Sequence, residues 1–94
     1  MKSIIQEDKT RCYICGSARW IEVHHVFGGV DRKTSDKYGL TVPLCHYCHN
    51  EPPNGVHQNK EIRKVLQAKV QKIAMKHYGW DMEAWRSRFG KNYL

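Results

Sequence analysis

Short apolar segments alternate with polar ones in the first half of the chain. Residues 1–10 are mostly polar and show no periodicity, which predicts an N-terminal arm. Residues 19–27 and 40–44 are rich in β-branched and aromatic side chains, which predicts two short strands. Pro43 cannot donate to a strand ladder, so the second strand lies at an edge or ends there. The intervening residues 28–39 are polar and bounded by glycines, which predicts a loop.

Side-chain alternation along the first predicted strand assigns its two adjacent histidines to opposite faces. One face carries His25 together with Ile21, Val23 and Phe27, and the other carries His24 together with Trp20, Glu22 and Val26. The two imidazoles are therefore expected to point to different sides, unless the strand ends or bulges at this point.

From residue 60 onward the apolar positions recur at helical spacing. They predict a helix over 60–78, with Asn59 as its N-cap and Gly79 as its C-cap. Asp81 then caps a short second helix, which Gly90 ends. The chain is therefore expected to be one small α+β domain, with a helical extension over residues 60–94 packed on the core.

Length and charge limit the classes of protein to which the chain can belong. A domain of 94 residues has a marginal core unless something reinforces it. The 16 lysines and arginines outweigh the 9 aspartates and glutamates, giving a net charge of +7. Such a surface favours a polyanion such as nucleic acid, although a solvated lysine-rich helix face gives the same count. With no leader and no run of ~18 apolar residues, we expect a cytoplasmic protein with no membrane association.

The four cysteines form two C-x-x-C pairs, Cys12 with Cys15 and Cys45 with Cys48. In a reducing compartment this spacing favours a tetrahedral Zn²⁺ site over disulfides. Two redox dithiols, or four ordinary buried cysteines, are the alternatives. A structural zinc would contribute folding free energy on the order of 10 kcal/mol, which is enough to reinforce a thin core.

Histidines cluster between and just beyond the two cysteine pairs. His24 and His25 end the first strand, His49 follows the last cysteine, and His57 comes eight residues later. Because the cysteines already supply a full set of zinc ligands, these imidazoles are free for a second site. Ordinary hydrogen bonding at a strand end, and a plain loop histidine at His57, are the alternatives.

The run VHHVFGG … YGLTVPLCHYCHN … VH resembles the ββα-metal domain of HNH endonucleases, also called His-Me fingers, in the branch with two C-x-x-C zinc knuckles. This resemblance covers roughly residues 11–57. The sequence as a whole, down to the closing FGKNYL, is similar to small HNH-like proteins of phages and prophages in Gram-positive bacteria. It implies a zinc-bound ββα-metal core over residues 11–59, followed by two C-terminal helices, in the cytoplasm of a bacterial host cell.

The resemblance also implies a role for each histidine. His25 would be the general base, while His24, His49 and His57 would hold a catalytic Mg²⁺ or Mn²⁺ ion separate from the structural zinc. The implied reaction is hydrolysis of DNA phosphodiester bonds, with RNA as a possible substrate. A phage or host recombination or packaging protein is a possible partner.

One departure from the family pattern supports an alternative function. Where the family carries an asparagine that orients the base, this chain has Tyr38-Gly39-Leu40. Asn50, Asn54 or a backbone carbonyl could take over that task. If none does, the chain is a non-catalytic zinc module of HNH fold that binds nucleic acid or a host protein.

Basic residues in two segments are candidates for phosphate contacts. Arg32, Lys33 and Lys37 lie in the predicted loop between the strands and are candidates for such contacts, although a loop is usually polar in any case. The predicted long helix carries a second basic set, which is expected to be a solvated face, with a backbone-binding stripe as the alternative. That set consists of Lys60, Arg63, Lys64, Lys72 and Lys76.

Overall fold

The two predicted strands pair with each other in the computed structural model, which describes residues 2–94. Strand β1 (Ile21–His25) runs antiparallel to β2 (Thr41–Cys45), and together they form a two-stranded sheet. The register pairs His24 with Val42, and every residue of β2 is buried. The chain is thus a small α+β domain with one two-stranded sheet and four α-helices. His24 and His25 lie at the end of β1.

The segment between the strands is not the loop that its composition predicted. A single 3₁₀ turn (Gly29–Asp31) leads into helix α1 (Arg32–Lys37). The only buried residue of α1 is Ser35, whose hydroxyl accepts from the Phe27 N–H at 3.0 Å and donates to the Phe27 carbonyl at 2.9 Å. The buried contact of this helix is the hydroxyl of Ser35 rather than an apolar stripe. The sequence therefore has no hydrophobic periodicity that would predict the helix.

Helix α2 (His46–Asn50) begins directly after β2. The longer α3 (Lys60–Tyr78) has the predicted bounds, with the Asn59 side chain accepting from the Ile62 N–H at 3.1 Å. Its end is also confirmed, because Gly79 adopts the left-handed conformation at φ 68° that suits a C-cap.

Helix α4 (Met82–Phe89) confirms the prediction of a second short helix. Asp81 caps it by accepting from the Ala84 N–H at 2.8 Å, and Gly90 ends it at φ 74°. Among residues 2–94, none of the helices combines the length and apolar character that crossing a lipid bilayer requires.

Phe27, just beyond the end of β1, is the centre of an aromatic cluster in the core. Its ring lies 5.2 Å from Trp85, 5.1 Å from Phe89 and 4.7 Å from Tyr93, measured between centroids. Helix α4 and the C-terminal segment therefore pack beneath the strand end that carries the histidines. The other buried apolar residues of this core include Val26, Leu40, Val42, Leu44, Val56, Leu66, Val70 and Ala74.

Residues 2–10 form neither a helix nor a strand, but they contact the sheet. The Ile4 N–H donates to the Gly39 carbonyl at 2.9 Å, and the Ser3 hydroxyl donates to the Thr41 carbonyl. Ile4 and Ile5 pack against the core. The start of this N-terminal segment is thus held beside β2.

Candidate metal centres

The four cysteines converge on one point. Their sulfur atoms all lie within 4.8 Å of one another, and Cys15 Sγ is 3.6 Å from Cys45 Sγ. Cys12 and Cys45 are buried, Cys48 is half-buried and Cys15 is exposed. The cluster could hold a zinc ion, since four thiolates in this arrangement match the tetrahedral ligand set of structural zinc.

The local backbone conformation positions the two sulfur atoms of each C-x-x-C pair. In the first pair, Gly16 at φ 78° lets the chain turn, and its N–H donates to the Cys12 carbonyl at 2.9 Å. The Tyr13 N–H donates to the Pro43 carbonyl at 2.8 Å, which ties this turn to β2. The second pair needs no separate turn, because β2 ends at Cys45 and α2 carries Cys48 one turn later.

A cation among the cysteines would allow all four of them to be thiolates. Burial alone would raise the pKa of Cys12, but N–H groups of Cys15, Cys45 and Ile14 outweigh it and lower that pKa to about 7. Burial, reinforced by the neighbouring thiols, raises the pKa of Cys48 well above its ordinary value. Four thiolates this close cannot coexist without a positive ion among them, so the donor set fits Zn²⁺.

Three of the predicted histidines form a second cluster. His24 lies on β1 and His49 on α2, and the chain after α2 folds back to bring His57 beside them. That return is fixed by the His57 N–H, which donates to the His49 carbonyl at 3.1 Å, and by the Val56 N–H, which donates to the Cys48 carbonyl at 2.8 Å. The eight-residue separation of His49 and His57 is thus compatible with one site.

The histidine nitrogens have the geometry of a ligand set. One nitrogen from each ring lies within 4.8 Å of the others, and the Nε2 atoms of His49 and His57 are 3.0 Å apart. His24 is only 3% exposed, and its Nε2 is buried without a hydrogen-bond partner. An unpaired buried nitrogen is costly unless something binds it, and a metal ion would satisfy all three rings together.

Electrostatics favour the neutral, metal-binding form of two of these rings, His24 and His57. Burial, followed by the charges of His49 and His57, lowers the pKa of His24 to about 3. Partial desolvation, followed by the charges of His49 and Arg63, lowers the pKa of His57 as well. At neutral pH, His24 therefore offers an unprotonated nitrogen to a cation.

Glu22 contacts the histidine cluster, and the sequence analysis did not assign it to the site. Its Oε1 accepts hydrogen bonds from His49 Nδ1 at 2.8 Å and from Asn50 Nδ2 at 2.9 Å. The bond from His49 is the main reason that the pKa of Glu22 lies below its ordinary value. Strand alternation had placed Glu22 on the same face as His24, and that was the available signal.

His25 lies beside the histidine cluster without joining it. It helps to line an open pocket of about 320 Å³ into which His24, His49 and His57 also face. Its side chain is 19% exposed, and its Nε2 lies 3.7 Å from Asp36 Oδ1 on α1, which is an ion-pair distance longer than a hydrogen bond. His25 is thus accessible from the pocket and has the carboxylate of Asp36 nearby.

Of the basic residues and asparagines named as candidates from the sequence, some line this pocket and others do not. Arg32 lines the pocket, whereas Lys33 and Lys37 are exposed on α1 and do not line it. Of the two asparagines proposed to orient His25, Asn50 instead contacts Glu22 and His49, and Asn54 is exposed in the turn after α2.

A metal ion held by these three imidazoles would keep coordination positions open towards the pocket for water or another ligand. The atoms that these rings offer are all nitrogens, which suit transition-metal ions better than Mg²⁺, whose preferred ligands are oxygens.

Comparisons of the chain with protein-family models, with curated proteins and with solved structures give no match.

Proposed function

We propose that the protein is an HNH-type endonuclease that hydrolyses phosphodiester bonds in DNA. The observation that carries this proposal is His24, which has a buried Nε2 without a hydrogen-bond partner and offers one nitrogen within 4.8 Å of nitrogens of His49 and His57. All three rings line the same pocket as His25. A purely structural histidine would be expected to have a hydrogen-bond partner there.

Two metal ions would have different tasks. Zn²⁺ held by the four cysteines would join the first turn to the β2–α2 junction, and so reinforce the small core. A divalent ion held by His24, His49 and His57 would supply positive charge against the scissile phosphate and the leaving oxygen. The nitrogen ligands favour Mn²⁺ or another transition-metal ion over Mg²⁺ at this second site.

His25 would act as the general base on the attacking water. A water proton passes to the imidazole as the oxygen forms its bond to phosphorus, and the bond from phosphorus to the 3′ oxygen breaks on the opposite side. Asp36, 3.7 Å away, would stabilise the resulting imidazolium by its charge. The asparagine that the resemblance implies would instead orient the base. Arg32, on the wall of the same pocket, would contact a phosphate oxygen of the substrate.

A non-catalytic zinc module is the second candidate. The observation that favours it is that neither Asn50 nor Asn54 contacts His25, so the base lacks the amide partner that the resemblance implies. Such a protein would bind nucleic acid or a host protein without cutting it. Association with a phage or with a recombination or packaging protein stays a prediction.

Nicking of supercoiled plasmid DNA tests the proposal. Protein that carries one zinc per chain would be assayed without added metal and then with Mn²⁺, Ni²⁺ or Mg²⁺. We expect nicking with transition-metal ions and weaker nicking with Mg²⁺. His49→Ala should require more metal, whereas His77→Ala, which changes an exposed histidine near the end of α3, should cut like the parent. If the folded, zinc-loaded parent binds DNA but cuts with none of these ions, the second candidate is correct.

A further inference from the structure

A strongly basic groove lies between the first turns of α3 and the C-terminal segment. It encloses about 580 Å³ and is lined by four cationic side chains, Lys60, Arg63, Lys64 and Lys91. No Asp or Glu side chain lines it. Within residues 2–94, no carboxylate lies within 4.0 Å of any of the four cationic groups. Their charge is therefore available to a ligand.

The C-terminal wall of this basic groove is fixed to the core. Gln71, fully buried on α3, donates to the Asn92 side-chain oxygen at 3.0 Å and accepts from the Tyr93 N–H at 2.7 Å. The Tyr93 ring packs 4.7 Å from Phe27, between centroids. Lys91 is therefore carried by an anchored segment, which keeps it opposite the cations of α3.

The α3 wall of the basic groove contacts the segments that carry the histidine cluster. Arg63 donates to the Val56 carbonyl at 3.2 Å, and Val56 directly precedes His57. Gln67, a wall residue of the groove, donates to the Val26 carbonyl at 3.4 Å, two residues after His24. The groove and the histidine cluster are thus joined through contacts of α3.

We propose that this basic groove binds the sugar-phosphate backbone of the nucleic acid and guides it to the histidine cluster. Delivery of the nucleic acid to a cleaving site rests on the proposed function, whereas binding of the nucleic acid in the groove does not. Apart from Leu94, the lining side chains carry a charge or a polar group, whereas the centre of a protein interface is apolar. The backbone contacts then lie mainly on α3 and the C-terminal segment, rather than on Lys33 and Lys37.

The test compares two double variants of equal charge. Lys64→Gln with Lys91→Gln removes two exposed groove cations, and Lys72→Gln with Lys76→Gln removes two exposed cations of α3 outside the groove. Binding of short duplex DNA would be measured at several salt concentrations without added divalent ions. If each groove lysine neutralises one phosphate, the groove variant should lose about two units from the slope of log affinity against log salt, and the control pair much less.

Zinc content and far-UV circular dichroism establish that both variants are folded. Equal weakening in the two variants, or unchanged DNA binding in the groove variant, would overturn the groove assignment and leave an acidic protein as its ligand. The plasmid assay reports the reaction separately. If the parent nicks DNA while the groove variant binds normally, the groove assignment alone fails. If the parent never nicks but the groove variant selectively loses binding, the nuclease proposal alone fails.

Discussion

His49 Nδ1 donates to Glu22 Oε1 over 2.8 Å, and this contact decides which nitrogen of the imidazole is free. A carboxylate can only accept, so Nδ1 carries a proton, and in the neutral ring the lone pair is then on Nε2. That Nε2 is the atom 3.0 Å from His57 Nε2. Glu22 thus orients His49 towards the other two rings, in the manner of the carboxylates that support metal-bound histidines.

Glu22→Gln should therefore weaken the second metal site without removing a ligand. Because an amide is a poorer acceptor than a carboxylate, we expect Mn²⁺ affinity, measured by calorimetry, to fall about 10–100-fold. Glu51→Gln is the matched control, since Glu51 contacts His46 rather than His49. Zinc at the four cysteines should be unchanged in both variants. Equal Mn²⁺ affinity in Glu22→Gln and the parent would exclude this orienting role.

Cys45→Ser should remove zinc and unfold the protein. A structural zinc contributes on the order of 10 kcal/mol. That is comparable with the 5–15 kcal/mol that stabilises a typical domain. The measurements are zinc content and far-UV circular dichroism, with Ser87→Ala, an exposed hydroxyl on α4, as the control. A Cys45→Ser protein that is well folded without zinc would show that the cysteines are not a structural metal site.

The sequence predicts α3 and α4 well because their boundaries depend on local chemistry. Asn59 and Asp81 each accept from a backbone N–H three residues later, and such caps are visible as single residues in the chain. Helix α1 lacks such a signal, since its one buried side chain is the hydroxyl of Ser35. A polar contact with Phe27 replaces the apolar stripe that would have predicted it.

The three-histidine cluster could be predicted only in part. The histidine pair and His49 stand out by their position beside the cysteine motifs. The position of His57 depends on how the segment after α2 folds back, which no local pattern specifies. The roles of Glu22 and Asp36 depend on which elements pack over β1, so they require the three-dimensional fold.

Gly39→Ala should destabilise the protein more than Gly79→Ala. Both glycines have a positive φ, 72° and 68°, so alanine costs about 1–2 kcal/mol at either position. At Gly39 an added Cβ would also lie 2.5 Å from the Lys2 carbonyl oxygen, whereas at Gly79 it would meet nothing within 4 Å. The free energies of unfolding at equal zinc content measure the difference.

A truncation separates the two contributions at Gly39. Removing residues 1–6 takes away the Lys2 carbonyl, so Gly39→Ala should then cost no more than Gly79→Ala does. Comparing both substitutions in the full and truncated chains forms a double-mutant cycle, which cancels the packing lost with Ile4. If the excess cost of Gly39→Ala persists after truncation, the N-terminal segment is not its source.

His25→Ala should abolish most cleavage while leaving both metal sites intact. His25 lines the pocket without belonging to either ligand set, so its removal takes away the proton acceptor alone. General-base assistance typically contributes 10²–10⁴-fold, and we expect plasmid nicking to slow by about that factor at saturating Mn²⁺. Asp36→Asn should give a smaller loss, because it removes only the charge 3.7 Å from the ring.

The response to metal distinguishes this base from a ligand. His24→Ala and His49→Ala remove nitrogens of the three-histidine cluster, so excess Mn²⁺ should restore part of their activity by mass action. His25→Ala should gain nothing from the same titration, because the missing group binds protons rather than metal. If His25→Ala cuts as fast as the parent, or recovers with Mn²⁺ as His24→Ala does, His25 is not the general base and the proposed mechanism is wrong.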